Sequence, residues 1–257
     1  MTFSASSVIS RSLGVTTRNF LTLFVLSLIV MGPIAVVSYF LTPDAANLEK
    51  ALADVQVGRV GVASDALAKQ SSPGRQFLVS MLQMVGQAVV AGAVSFVVFQ
   101  SLRGGKTSIG ASVQKGFSRL FPIIGVSIVY ALGVGIGLVL LIVPGIIIAC
   151  MWYVAVPATV LENLGVGAAL SRSGALTKGY RGSIFALFLM IFLMMLVVML
   201  VLAGMFAALG AAVGGVLSLV IGVFIALFSG TLSAVCYHDL RMVKDGVSTE
   251  DMAKVFD

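Results

Sequence analysis

Charged residues are scarce in this chain, and their scarcity excludes most soluble folds. Only 10% of the 257 residues are charged and 59% are hydrophobic, whereas soluble domains have about 25% charged residues. So few charges could not cover the core that this hydrophobic content would form. The composition therefore predicts an integral membrane protein that crosses the bilayer several times.

The residue types that build most catalytic and metal sites are scarce as well. The chain has one histidine and two cysteines. Cys150 and Cys236 both lie in apolar runs, which excludes an extracellular disulfide framework and gives no metal-ligand spacing. His238 has no second histidine near it and fits a hydrogen-bonding role better than catalysis. We therefore expect no cofactor, no metal and no enzyme activity. Nucleic acid is not an expected partner, because the basic residues flank apolar runs instead of forming one patch.

Long uncharged runs indicate how often the chain crosses the membrane. A spanning helix needs about 20 apolar residues, and residues 120–161 contain no charge. One helix over that run would be about 63 Å long, twice the hydrocarbon thickness, so it must fold back, and Pro144-Gly145 marks the turn. Residues 183–237 pose the same problem, with a predicted turn at 210–215. The expected fold is an all-α bundle of six transmembrane helices with spans near 20–41, 77–102, 120–143, 146–161, 183–205 and 216–237.

Basic residues lie mostly on one side of this predicted bundle. The segments 1–19, 103–119, 162–182 and 238–257 would share a side and hold 12 of the 16 basic residues. The positive-inside rule therefore predicts that both termini are cytoplasmic. The first run is too long for a signal-peptide core and is interpreted as a retained anchor. The outer loop 42–76 either is a plain connector or carries a short amphipathic helix.

A short cationic segment at 161–182 interrupts the apolar second half of the chain. Placed on a helix, its apolar residues form one arc that Arg172 and Arg181 border, while Lys178 faces away. An apolar face bordered by cations is typical of a helix that lies in the membrane interface. The segment is predicted to contact anionic lipid headgroups through these three cations. The alternative is a cytoplasmic linker whose basic residues only fix the topology.

Two acidic residues stand beside these cations. Glu162 ends the fourth predicted span and Asp239 follows the last one. We expect at least one of them to form an ion pair with Arg241 or with a cation of the 172–181 segment. On a helix, Arg241 would also face the acid four residues later.

The cationic segment has counterparts earlier in the chain. Similar basic, amphipathic stretches precede the first and third predicted spans, as SVISRSLGVTTRNF and SIGASVQKGFSRLF. Each would be a short cytoplasmic interfacial helix followed by a membrane hairpin. This pattern suggests a threefold internal repeat.

The second predicted span carries a polar stripe. Ser80, Gln83 and Gln87 recur at helical spacing on one face. Hydrogen bonds between helices would explain the stripe without a function. The alternative is a hydrophilic path through the bundle, as in a transporter or a lipid-translocating protein.

The second half of the chain contains five short motifs. They are a Val-Pro-Gly turn (Val143 to Gly145), a proline and a glutamate (Pro157 and Glu162), Ala-Leu-x-x-Ser (Ala169 to Ser173), Leu-x-x-Gly (Leu176 to Gly179) and Tyr-x-Asp-Leu-Arg (Tyr237 to Arg241). With these motifs the chain resembles the membrane domain of the glycerophosphoryl diester phosphodiesterase membrane-domain family. The resemblance implies a six-span protein of a bacterial inner membrane. It does not imply the phosphodiesterase activity, since one histidine cannot supply that domain's metal site.

Together these features favour a non-enzymatic membrane protein that contacts anionic lipids and acts as a scaffold or as an accessory to a membrane process. A protein partner is conceivable but has no signature in the sequence. Transport along the polar stripe is the alternative function.

Overall fold

The computed structural model describes residues 3–41, 73–105 and 108–246, which form nine helices and contain no strand. Nearly all of the predicted outer loop 42–76 lies outside the described residues. In chain order the helices are α1 (Ala5–Arg18), α2 (Phe20–Leu41), α3 (Pro73–Leu102), α4 (Ile109–Ser118), α5 (Leu120–Leu140), α6 (Ile142–Trp152), α7 (Ala155–Leu161), α8 (Val166–Thr177) and α9 (Arg181–Asp245).

Six stretches of these helices are long and apolar enough to cross a bilayer. They are Phe20–Ser38, Gly74–Leu102, Leu120–Leu140, Ile142–Leu161, Arg181–Leu202 and Val223–Asp245. The all-helical class and the six candidate spans predicted from the sequence are thereby confirmed. The fourth span consists of two helices, α6 and α7, and the fifth and sixth both belong to α9.

The uncharged run of 120–161 folds back at Leu141, three residues before the predicted turn at Pro144-Gly145, and those two residues lie inside α6. Leu141 is extended, with φ −160° and ψ 142°, and separates α5 from α6. Pro144 lies in the first turn of α6, where its missing N–H is not needed. Glycine permits close packing of this hairpin, because a Cβ on Gly137 would lie 2.7 Å from the Cα of Gly145.

The fourth span bends at Tyr153 and Val154, and side chains of other helices bind the carbonyls near this bend. Pro157 has no N–H to donate to the carbonyl of Tyr153, and the Oγ of Ser233 donates to that carbonyl at 3.1 Å. The carbonyl of Met151 accepts hydrogen bonds from α8, including one of 2.8 Å from Ser173. Backbone groups at membrane depth need such internal partners, so these bonds fix the bend.

Helix α9 does not contain the non-helical turn that we predicted at 210–215. It is helical over all 65 residues. That segment has glycine but no proline, and a glycine inside a helix costs only about 1 kcal/mol, less than leaving backbone groups unpaired in a bilayer.

The two ends of α9 nevertheless lie together. A straight helix would place its ends about 96 Å apart, yet the Nζ of Lys244 is 5.6 Å from the ring of Tyr180, which directly precedes α9. The side chains of Phe188 and Ser233 both contact Tyr153. Since both contact pairs are symmetric about residues 210–212, the chain of α9 reverses its direction near the predicted segment.

The chain divides into two compact units, Ser27–Gln87 and the remainder. In the smaller unit, Gly86 packs closely on Met31 and Ile34. In the larger unit, the main hydrophobic core contains buried residues of α2, α3, α6, α7 and α9. They include Leu23, Val97, Cys150, Ala158, Leu187 and Leu240. The site described next lies in the larger unit.

Candidate functional site

A cluster of ion pairs joins the end of α7, helix α8 and the end of α9 at one end of the larger unit, and Glu162 lies at its centre. Its two carboxylate oxygens are each 3.0 Å from the Nε of Arg172. The hydroxyl of Tyr237 donates to the same carboxylate at 2.6 Å, and the Nη1 of Arg241 lies 3.7 Å away. The Glu162 side chain is only 16% exposed, so these partners replace most of its water.

Arg172 binds a second carboxylate, that of Asp245 near the end of α9. Burial by itself would lower the pKa of Arg172, but the hydrogen bonds to Asp245 and Glu162 outweigh it and raise that pKa. Arg241 completes the cluster with a contact of 3.6 Å from its Nε to Asp245. Arg172 therefore stays protonated at any working pH and holds α8 against the ends of α7 and α9.

A second ion pair attaches the amino-terminal helix to the same end. Arg11 of α1 pairs with Asp239 of α9, and the Nδ1 of His238 lies 3.4 Å from the same carboxylate. Together with the packing of α1 along α9, this pair brings the beginning and the end of the described chain together.

The loop after α7 binds the short helix α4 through hydrogen bonds. Asn163 has a left-handed φ of 55°, a conformation that asparagine tolerates. Its side chain accepts a 2.8 Å hydrogen bond from Lys115, and its carbonyl accepts one of 3.1 Å from Arg119. Helices α1, α4 and α8 and the end of α9 therefore meet at one end of the larger unit, which we call the cationic end.

The charge of the cationic end is unbalanced. Glu162, Asp239 and Asp245 are the three carboxylates of the described residues, and each is paired with an arginine. Three further cations are exposed and form no ion pair within the described part of the chain: Arg18, Lys178 and Lys244. The described residues of this end thus carry a net positive charge, and these three cations are exposed.

The three cations predicted to contact headgroups have different surroundings. Lys178 is exposed and fits that role. Arg172 is occupied by two carboxylates. Arg181 is half-buried. The ion pair expected at Glu162 is present, and it has Arg172 and Arg241 as partners.

The apolar arc of α8 contacts protein. Ala169, Leu170 and Leu176 are buried, and the hydroxyls of Ser173 and Thr177 donate to the Met151 carbonyl. This arc is therefore not exposed for insertion into lipid, and lipid contacts of α8 would have to come from its exposed polar side.

The polar stripe of the second span lies on the outside of α3. Ser80, Gln83 and Gln87 are exposed. The serine further along the stripe, Ser95, is buried and donates to the carbonyl of Ala91 within its own helix. The stripe therefore does not continue as a polar surface into the buried part of α3.

No family model, curated protein or solved structure matches this chain. Among the residues that the structure describes, no group of three histidine, cysteine or carboxylate side chains is placed to hold a metal ion. The function is therefore argued from the geometry and charge of the cationic end.

Proposed function

We propose that this chain is a non-enzymatic membrane protein of a bacterial inner membrane, with both termini in the cytoplasm. Its cationic end contacts the anionic headgroups of the cytoplasmic leaflet, and the protein serves as a scaffold or accessory to a membrane process. The observation that carries this proposal is the charge balance at that end. Arginines neutralise all three described carboxylates, while Arg18, Lys178 and Lys244 remain exposed.

Electrostatics gives the proposal a magnitude. A lysine or arginine near an anionic membrane surface contributes about 1 kcal/mol of attraction, which falls off within a Debye length. Three such residues would together give a preference of roughly a hundredfold for anionic over zwitterionic lipid.

The test compares lipid binding by the full chain and by a triple variant. Native mass spectrometry of the detergent-solubilised protein counts bound phosphatidylglycerol and phosphatidylcholine. The variant Arg18→Gln, Lys178→Gln, Lys244→Gln should lose most of the preference for phosphatidylglycerol. Arg75→Gln, an exposed cation at the start of α3, serves as the control. A wild-type protein without that preference, or an unchanged triple variant, would refute the proposal.

Arg172 is left out of this variant for a structural reason. Its substitution would leave Glu162 and Asp245 short of a partner, and a change in lipid binding could then reflect unfolding. The transport alternative gains no support from the structure, since Gln83 and Gln87 lie on the outer surface of α3.

We also propose that the chain contains a threefold internal repeat, in which each repeat is a short helix followed by a membrane hairpin. Each short helix has a small buried residue eight positions and another four positions before the first residue of the long helix that follows it. These residues are Ser12 and Thr16 before Phe20, Ser112 and Gly116 before Leu120, and Ser173 and Thr177 before Arg181.

Within the larger unit, the packing of the short helices supports the same repeat. Gly116 of α4 packs against the backbone of Val89 in α3, and Ser173 of α8 bonds to Met151 in α6. Helix α1 packs along α9. Each short helix thus contacts the second spanning stretch of the preceding repeat, where the third repeat counts as preceding the first. A circular permutant with joined termini and new ends between α3 and α4 should therefore fold, and failure to fold would contradict the repeat.

A further inference from the structure

A cleft in the cationic end combines positive charge with aromatic surface. It has a volume of about 470 Å³ and lies between the end of α3, helix α4 and the end of α7. Its apolar part includes the rings of Phe96 and Phe99. Its polar part consists of five side chains, those of Gln100, Arg103, Gln114, Lys115 and Ser118.

The two charged side chains among the described residues that line this cleft, Arg103 and Lys115, are both cations. The guanidinium of Arg103 lies 4.0 Å from the ring centre of Phe99, which directs a cation along an aromatic wall. Lys115 reaches the cleft from α4 and donates to the Asn163 side chain. The lining residues that the structure describes include no carboxylate.

The surroundings of Lys115 favour an added anion. Burial, and secondly the nearby charge of Arg119, lower the pKa of Lys115. Both causes reflect an ammonium group that has lost water and faces another cation. The negative charge of a phosphate in the cleft would offset the repulsion between Lys115 and Arg119, and its oxygens would accept hydrogen bonds from the remaining ammonium hydrogens.

We propose that this cleft binds the phosphate diester headgroup of one anionic glycerophospholipid. Lys115 holds the phosphate, the guanidinium of Arg103 adds to the positive charge around it, and Gln100, Gln114 and Ser118 hydrogen-bond to the hydroxyls of the headgroup.

The aromatic wall explains why the ligand is a lipid and not a free anion. Phe96 and Phe99 offer apolar contact for the glycerol and the first methylenes of the acyl chains. The volume is in the range of about 300–1,000 Å³ that small-molecule sites occupy. This assignment rests on the proposed function, which requires anionic lipid at this end, and it adds one defined site to the diffuse attraction of the exposed cations.

The test counts lipids on single protein molecules. Native mass spectrometry of the detergent-solubilised full chain, titrated with phosphatidylglycerol, should show one lipid that binds more tightly than the rest. Lys115→Gln should weaken this first binding step about tenfold or more, the usual effect of losing a charge-assisted hydrogen bond. Lys115→Arg should retain it, and the control Arg75→Gln should leave it unchanged.

A second variant guards against misfolding. Gln114 is exposed, so Gln114→Glu keeps the packing while it places a negative charge in the cleft. It should weaken the first step as Lys115→Gln does. Equal first-step affinity in the wild type and both variants would overturn the cleft assignment while leaving the proposed function in place. A wild type that does not prefer phosphatidylglycerol would overturn both.

Soluble phosphates form the third arm of the test. Glycerol phosphate and inorganic phosphate are added as competitors at the concentration of the lipid. Lack of competition supports a lipid ligand, because the aromatic wall then contributes to affinity. Competition as strong as that of added phosphatidylglycerol would overturn the lipid assignment and point to a soluble phosphate.

Discussion

Removing the charge of Glu162 should destabilise the protein measurably. Glu162→Gln keeps the shape of the side chain but ends its charge-assisted bonds to Arg172. A hydrogen bond to a charged group contributes about 1.5–3 kcal/mol, and breaking a buried pair costs about 3–5 kcal/mol. Arg172 keeps Asp245 as a partner and Tyr237 can donate to the new amide. We therefore expect a loss of about 2 kcal/mol in the free energy of unfolding, at the lower end of these ranges.

A double-mutant cycle isolates the ion pair from other effects. Unfolding of Glu162→Gln, Arg172→Gln and the double variant in mixed detergent–dodecyl sulfate micelles is followed by the fluorescence of Trp152, the single tryptophan. The coupling energy should be about 1.5–3 kcal/mol. Lys178→Gln, an exposed cation without a carboxylate partner in the described chain, should change stability by less than about 0.5 kcal/mol. A coupling energy below about 0.3 kcal/mol would refute the view that this cluster holds the helices together.

Three further predictions concern the hairpin, the bend and the cleft. Gly137→Ala should destabilise by about 1–3 kcal/mol through overpacking, because its Cβ would meet Gly145 at 2.7 Å, whereas Gly135→Ala meets nothing within 4 Å and should be neutral in the same unfolding assay. Ser233→Ala should cost about 0.6–1.7 kcal/mol, since the Tyr153 carbonyl then lacks its side-chain donor. The pKa of Lys115, measured by NMR of ¹³C-methylated lysine, should lie below its usual value of about 10.4 and rise when phosphatidylglycerol is added.

Each of these predictions has an outcome that contradicts it. Equal stability of the two glycine variants would mean that the α5–α6 hairpin is not closely packed at Gly137. An unchanged Ser233→Ala variant would show that the bend does not need this donor. For Lys115 the sign follows from the lowered pKa: between that pKa and its usual value the unfolded chain binds more protons, so this residue makes stability rise with pH. An unshifted pKa would remove one support of the cleft assignment.

The sequence predicted the membrane architecture because its physical causes are local. An uncharged run longer than the bilayer must reverse, and Pro144 lies within the first turn after the observed reversal at Leu141. The segment 210–215 has no proline and belongs to α9. The sequence therefore predicted where the chain of α9 reverses, but not that residues 210–215 are helical.

The sequence could not identify what covers an apolar helix face. The arc of α8 was interpreted as lipid-facing, yet it packs on protein. Ser173 and Thr177 within that arc were the available signal, because hydroxyls in an otherwise apolar face indicate a neighbouring backbone carbonyl more readily than lipid. Helical spacing alone cannot distinguish the two partners.

Contacts between distant segments were partly predicted. Glu162 was expected to have a cationic partner because so few charges lie near it. Asp245 was connected only with Arg241, its helical neighbour, although it also binds Arg172, 73 residues away. The cleft residues Gln100, Arg103, Gln114 and Lys115 come from two helices that only the fold brings together, and they gave no local pattern.

The side of the membrane that the cationic end faces tests the account most directly. Cysteines introduced as Lys178→Cys and Arg75→Cys replace exposed residues, while the natural Cys150 and Cys236 are buried. An impermeant maleimide applied to spheroplasts should label position 75 at once and position 178 only after the membrane is opened. Labelling of position 178 in sealed spheroplasts would place the cationic end outside the cell, away from the cytoplasmic leaflet, and would contradict the account.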